Sequence, residues 1–109
     1  LEAVGVTRVI SFDLHQGQLE GFFDVPFLQL FSLPVLAAKV KSLKNLIIVA
    51  PDSGSVKIAR RYAEQLKCDF AIVDKYRGPK KIEMRLIGDV SGKGVLLVDD
   101  LCSTGTTLV

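Results

Sequence analysis

The segment Leu46 to Ala50, LIIVA, contains no polar residue and stops abruptly at Pro51-Asp52-Ser53-Gly54-Ser55. A strand with one face in water alternates polar and apolar residues, so an unbroken apolar run requires cover on both faces. Such a strand belongs in the middle of a layered sheet, and the residues after it supply one layer. Val56, Ala59, Ala63 and Leu66 share one helical face, while Lys57, Arg60, Arg61, Glu64 and Lys67 form a solvated one. This predicts an amphipathic helix packed on the strand before it.

The rest of the chain reads the same way. Thr7 to Phe12 predicts a strand running into a loop that begins Asp13-Leu14-His15 and contains Gly17 and Gly21. Ser32-Leu33-Pro34 offers a hydroxyl cap and a proline for a first helical turn; Leu36, Val40 and Leu43 then recur up to Lys44-Asn45, a helix of about three turns. Phe70 to Val73 predicts a third strand, followed by a mobile basic segment, Lys75 to Lys81, around Gly78-Pro79. Met84 to Ile87 and Val95 to Val98 predict two strands joined through Gly88 to Gly94 as a hairpin. Strands alternating with helices define an α/β fold, a mostly parallel sheet flanked by helices, with ligands gathering beyond the carboxyl ends of the strands.

Composition narrows the function classes. With 109 residues, 49% hydrophobic and 24% charged, the chain has the make-up of one folded layer system, not of a disordered tail or a coiled coil. Its net charge of +2 is too small for a nucleic-acid footprint, and the basic residues are scattered except near Arg77 to Lys81. No apolar run approaches the roughly 18 residues of a membrane span, and LEAVGVTRV lacks the features of a signal peptide. The expectation is a cytoplasmic protein with no nucleic-acid and no membrane partner. Cys68 and Cys102 lack metal-knuckle spacing and are expected to be reduced thiols. The absent initiator Met, together with a glycine-hydroxyl loop at the very end, leads us to expect a fragment of something larger.

The strongest chemical signal is Gly94 to Thr107, GVLLVDDLCSTGTT: a buried strand, then Asp99-Asp100, then Ser103, Thr104, Gly105, Thr106 and Thr107. Glycine lets backbone N–H groups turn toward one point, hydroxyls add donors, and a helix start adds partial positive charge, together a cup for a phosphate dianion. The adjacent carboxylates suit neighbouring sugar hydroxyls. Nearer the start, His15 follows Asp13 at a strand end, with Asp24 just beyond a turn, so imidazole and carboxylates are expected to converge on a hard cation such as Mg²⁺. Phe22 and Phe23 are read as core or interface aromatics in preference to base-stacking groups.

GVLLVDDLCSTGTT resembles the phosphoribosyl-pyrophosphate motif shared by type I phosphoribosyltransferases and ribose-phosphate pyrophosphokinases. FDLHQGQLEGFFDVP (Phe12 to Pro26), APDSGSVKIAR (Ala50 to Arg60) and DKYR (Asp74 to Arg77) select the pyrophosphokinase family. They are similar to its metal and ATP segment, its diphosphate loop and its catalytic loop, in the family's order. The resemblance implies a type I phosphoribosyltransferase-like fold, incomplete here, with residues 1–31 ending one domain and residues 32–109 beginning a second. It implies transfer of the β,γ-diphosphoryl group of ATP to the 1-hydroxyl of ribose 5-phosphate, with Mg²⁺ as cofactor and a hexamer as the assembly.

Residue by residue, the resemblance makes Lys75 and Arg77 catalytic cations; Lys80 and Lys81 stay a solvated turn. It assigns Asp99, Asp100, Ser103, Thr104, Gly105, Thr106, Thr107 and Arg77 to ribose 5-phosphate, and His15, Asp52, Ser53, Gly54 and Ser55 to ATP and diphosphate. Asp13, His15 and Asp24 become contacts of one magnesium ion, and Asp52 serves a second. Leu28 and Ser103 stand where the family often has acids, and Ser55 where glycine is commoner. Two rival expectations are a non-catalytic regulatory paralogue and a type I purine or pyrimidine phosphoribosyltransferase.

Overall fold

The computed structural model describes residues 1–77 and 82–105. After a 3-10 turn at Glu2–Val4 come β1 (Val9–Phe12), a second 3-10 stretch at Gly17–Phe22, and β2 (Phe27–Leu30). Then follow α1 (Leu33–Val40), β3 (Leu46–Ala50), α2 (Val56–Leu66), β4 (Asp69–Arg77), β5 (Ile82–Ile87) and β6 (Gly94–Leu97). β1 and β2 form a parallel pair, and the other four strands form a sheet in the order β5-β4-β3-β6. β3 lies between β4 and β6, parallel to both, while β5 runs antiparallel to β4 at one edge.

The apolar run at β3 is covered on both faces, as its composition demands. Ile48 and Ala50 pack with Ala59, Tyr62 and Ala63 of α2 and with Val98. The alternate residues Ile47 and Val49 join Ala71 on the opposite face, against Val73 and Val90. This is the two-residue period of a strand working against the helical period of α2. The alanines on α2 let its backbone approach the sheet, and each fully buried isoleucine contributes about 1.5–3 kcal/mol relative to exposure. Lys67 ends α2 in the left-handed region at φ 54°, so that Cys68 N–H reaches Ala63 O at 3.0 Å.

The molecule is a slab of 52 × 43 × 20 Å with a radius of gyration of 17.0 Å, against about 13 Å for a compact chain of this length. Ile10, Phe12, Leu28, Met84, Val95 and Leu97 are exposed along the strands. The mostly parallel α/β sheet is therefore present and open, in keeping with an incomplete fold. Among the described residues, no helix is long and apolar enough to cross a membrane.

Four expectations need correction. The hairpin joins β4 to β5, with Ile72 opposite Ile87 and Arg77 opposite Ile82; Val95 to Val98 belongs instead with β3 on the far side of the sheet. The connection from Gly88 to Lys93 therefore passes from one edge to the other, and Asn45 Nδ2 donates to Gly92 O at 2.6 Å along it. Lys75 to Arg77, expected in a mobile loop, extend β4 because β5 supplies hydrogen-bond partners; residues 78–81 lie outside the described residues. α1 has eight residues, shorter than expected, and Ser32 makes no side-chain cap. β2 went unread, since Phe27-Leu28-Gln29-Leu30 carries little alternation to mark it.

Candidate active site

The carboxyl ends of β1, β3 and β6 converge on one cleft. A cavity of about 990 Å³ is lined by Asp13 and His15 after β1, Gly54 after β3, Lys57 and Arg61 of α2, and Asp100 after β6. That volume suits a nucleotide-sized ligand, and strand ends in an α/β layer are where such clefts form.

Asp13 sits at φ 43° just past β1, a left-handed conformation that aspartate tolerates. Its carboxylate accepts the Ser32 N–H at 3.2 and 3.3 Å, tying the end of β1 to the start of α1. His15 Nδ1 lies 2.8 Å from Asp100 Oδ2. An ionised carboxylate only accepts, so Nδ1 carries the hydrogen in that bond. This contact bridges the two sheets at the cleft.

Asp52 closes its own loop. Oδ1 accepts the Gly54 N–H at 2.9 Å and the Ser55 N–H at 3.1 Å, and the Ser55 hydroxyl donates to Asp52 O at 3.1 Å. This Asx turn holds the backbone that opens onto α2. Ser55 is buried at 2% exposure and Ser53 and Gly54 are exposed, so only the loop's outer edge is open.

Burial pushes the Asp99 carboxyl above the ordinary range; a hydrogen bond from the Asp100 N–H works against this, while the Asp52 and Asp100 charges add to it. That N–H donates to Asp99 Oδ1 at 2.9 Å. Such a raised carboxyl, with two further acids close by at a strand end, marks a place where a cation or hydroxyl donor is favoured.

One expected metal contact, Asp24, lies away from the others. Because β1 and β2 are parallel, with Val9 opposite Phe27, Asp24 before β2 lies at the opposite end of that pair from Asp13 after β1. Its N–H binds Glu2 Oε1 at 2.8 Å. Among the described residues, no three His, Cys, Asp or Glu side chains are grouped to hold an ion. Asp24 is thus not brought to Asp13 and His15 in this arrangement.

Other expected residues fall as follows. Lys75 is half-buried on β4 opposite Met84, and the Arg77 backbone pairs with Ile82. Ser103 and Thr104 are exposed beyond β6, and Gly105 turns at φ 77°; Thr106 and Thr107 lie outside the described residues. Phe22 is 82% exposed, whereas Phe23 packs on Phe27 with ring centroids 5.2 Å apart. Cys68 and Cys102 are free thiols. Sequence reasoning missed Lys57 and Arg61. Their spacing of four residues at the start of a helix that follows a strand-end loop was a signal, but a solvated helix face has the same pattern.

Comparison with known proteins agrees with this fold. Residues 35–109 match the model of the phosphoribosyl transferase domain, and the chain belongs to that family. Its similarity is more particular than the domain. It is 45% identical to a ribose-phosphate pyrophosphokinase of Chlorobaculum tepidum, over 100% of this chain and 35% of that protein. It is 49% identical to the one of Rhizobium meliloti, over 95% of this chain and 35% of that protein. The crystal structure of phosphoribosylpyrophosphate synthetase from Mycobacterium smegmatis superposes with a TM-score of 0.86 at 33% identity, over 98% of this chain and 36% of that one. The chain thus spans about a third of the length of the curated relatives it matches, and the resemblance drawn from its motifs is borne out.

Proposed function

We propose that this chain forms the central part of an enzyme that transfers the β,γ-diphosphoryl group of ATP to the 1-hydroxyl of ribose 5-phosphate, releasing AMP. The observation that carries the reading is the 2.8 Å contact between His15 and Asp100. It joins the segment that resembles an ATP site to the segment that resembles a ribose-phosphate site, across one cleft. The names of the relatives support the same activity.

In this reading Asp99 and Asp100 hold the ribose hydroxyls, and the turn at Ser103 to Gly105 takes the 5-phosphate, with Thr106 and Thr107 assigned to it by the resemblance alone. Ser53 and Gly54 face the diphosphate near the start of α2, where the helix dipole favours anions, and buried Ser55 braces the loop through Asp52. Lys75 and Arg77 neutralise charge on the transferring group. Catalysis is then mainly positioning and electrostatics. Mg²⁺ is proposed to enter with the nucleotide. The division at residues 31 and 32 into two domains, a cytoplasmic setting and a hexameric assembly are parts of the same proposal.

The test is AMP release from ATP and ribose 5-phosphate by the full-length gene product. AMP formed only when both substrates and Mg²⁺ are present is the expected result. Diphosphate release that depends on an added purine or pyrimidine would replace the reading with a phosphoribosyltransferase. Ligand binding without turnover would replace it with a regulatory paralogue.

A further inference from the structure

The cleft has walls of opposite charge. Asp13 and Asp100 line it from the strand ends, while Lys57 and Arg61 line it from α2. Spaced four apart, these two cations stack one turn above the other on a single face of the helix. Their neighbour Arg60 is occupied, with its guanidinium 5.5 Å from the centre of the Phe70 ring. Lys57 and Arg61 are both exposed and make no ion pair with a described residue. Lys57 lies in the first turn of α2, where the helix dipole favours anions, and Arg61 one turn on. Two cations without an ion-pair partner among the described residues thus form an anion-binding wall, with Gly54 at its foot.

We infer that Lys57 and Arg61 bind phosphate groups in the cleft, and that these belong to the polyphosphate of the nucleotide. The inference rests on the proposed transfer from ATP and adds two residues to that site. Phosphate could also come from the sugar, but the linings differ. The cations share the cavity with Asp13 and His15, whereas Ser103, Thr104 and Gly105 are not part of its lining. The sugar-phosphate turn therefore lies apart from this wall, and the polyphosphate is the anion that reaches it.

The experiment compares Lys57→Ala, Arg61→Ala and the double variant with the full-length gene product, following both substrates. Each side chain is exposed, so truncation removes no core contact. Losing one charge-assisted phosphate contact is expected to raise the KM for ATP by about tenfold in each single variant. The KM for ribose 5-phosphate should stay unchanged, and Lys57→Arg should restore much of the ATP effect because it retains the charge. An unchanged KM for ATP, or a rise for ribose 5-phosphate alone, would overturn the inference.

A direct titration separates this inference from the activity it rests on. If the wild-type protein forms no AMP, the proposed reaction fails, yet a non-hydrolysable ATP analogue can still be titrated against each variant. Weaker binding of the analogue with unchanged binding of adenosine upholds the phosphate wall. Equal binding by wild type and double variant removes it.

Discussion

Gly88 crosses β4 so closely that a β-carbon placed on it would stand 2.6 Å from the Ala71 β-carbon, with φ at 120°. The contact is where the chain leaves β5 to travel to the opposite edge of the sheet, and Ala71 at 1% exposure is part of the core it crosses.

Gly88→Ala should therefore destabilise the fold by about 2–4 kcal/mol, combining overpacking with a left-handed strain on an L residue. Gly92, at φ 66° with nothing within 4 Å of the added carbon, is the control. Gly92→Ala should cost only about 1 kcal/mol, the backbone term alone. Denaturant melts of both variants check the difference; equal losses would show that the crossing at Ala71 is not tight.

Asp99 should act against stability at neutral pH. Its carboxyl is raised by burial in the folded state, so between the unfolded value of about 4 and the higher folded value the native state holds more protons than the unfolded one. Stability falls as pH climbs through that window and stays reduced above it. Asp99→Asn removes the charge and should raise the melting temperature at about pH 7 while leaving it little changed near pH 3. The same variant should bind ribose 5-phosphate more weakly, so thermal melts and sugar titration move in opposite directions. A lower melting temperature at neutral pH would refute the electrostatic account.

The two thiols should differ in reactivity. Burial, with the Asp69 charge adding to it, pushes the Cys68 thiol up, although a backbone hydrogen bond at Ile48 opposes this. Cys102 is exposed beside the proposed ribose site. Thiolate is the attacking form, so a disulfide reagent at mild alkaline pH should label Cys102 first and Cys68 only slowly. Mass spectrometry of the partly labelled protein reads the order, and preferential labelling of Cys68 would contradict the burial described here.

Much of the fold was legible wherever a short stretch carries its own periodicity. Leu46 to Ala50 can be satisfied only between two layers, and Val56 to Leu66 is amphipathic whatever it packs on. The partner of β5 was misread because a strand's sequence records its faces and not its neighbour. Ile82 to Ile87 could pair with either neighbour along the chain, and the exchange of hydrogen bonds with Ile72 to Arg77 is settled between strands. For the site, the acids and hydroxyls at strand ends stood out because polar groups cluster where buried runs stop. Asp24 was misplaced because nothing local states that β1 and β2 run parallel.

By itself the sequence determined the buried central strand, the helix laid on it, and the chemical character of each loop, since these follow from side-chain polarity over a few neighbouring residues. Only the tertiary structure decided which loops meet. Bringing His15 to Asp100, sending Asp24 to the far end, and aiming Lys57 and Arg61 into a cleft depend on how two sheets face one another. That arrangement arises from contacts between residues distant in the chain, where no local pattern records the partner.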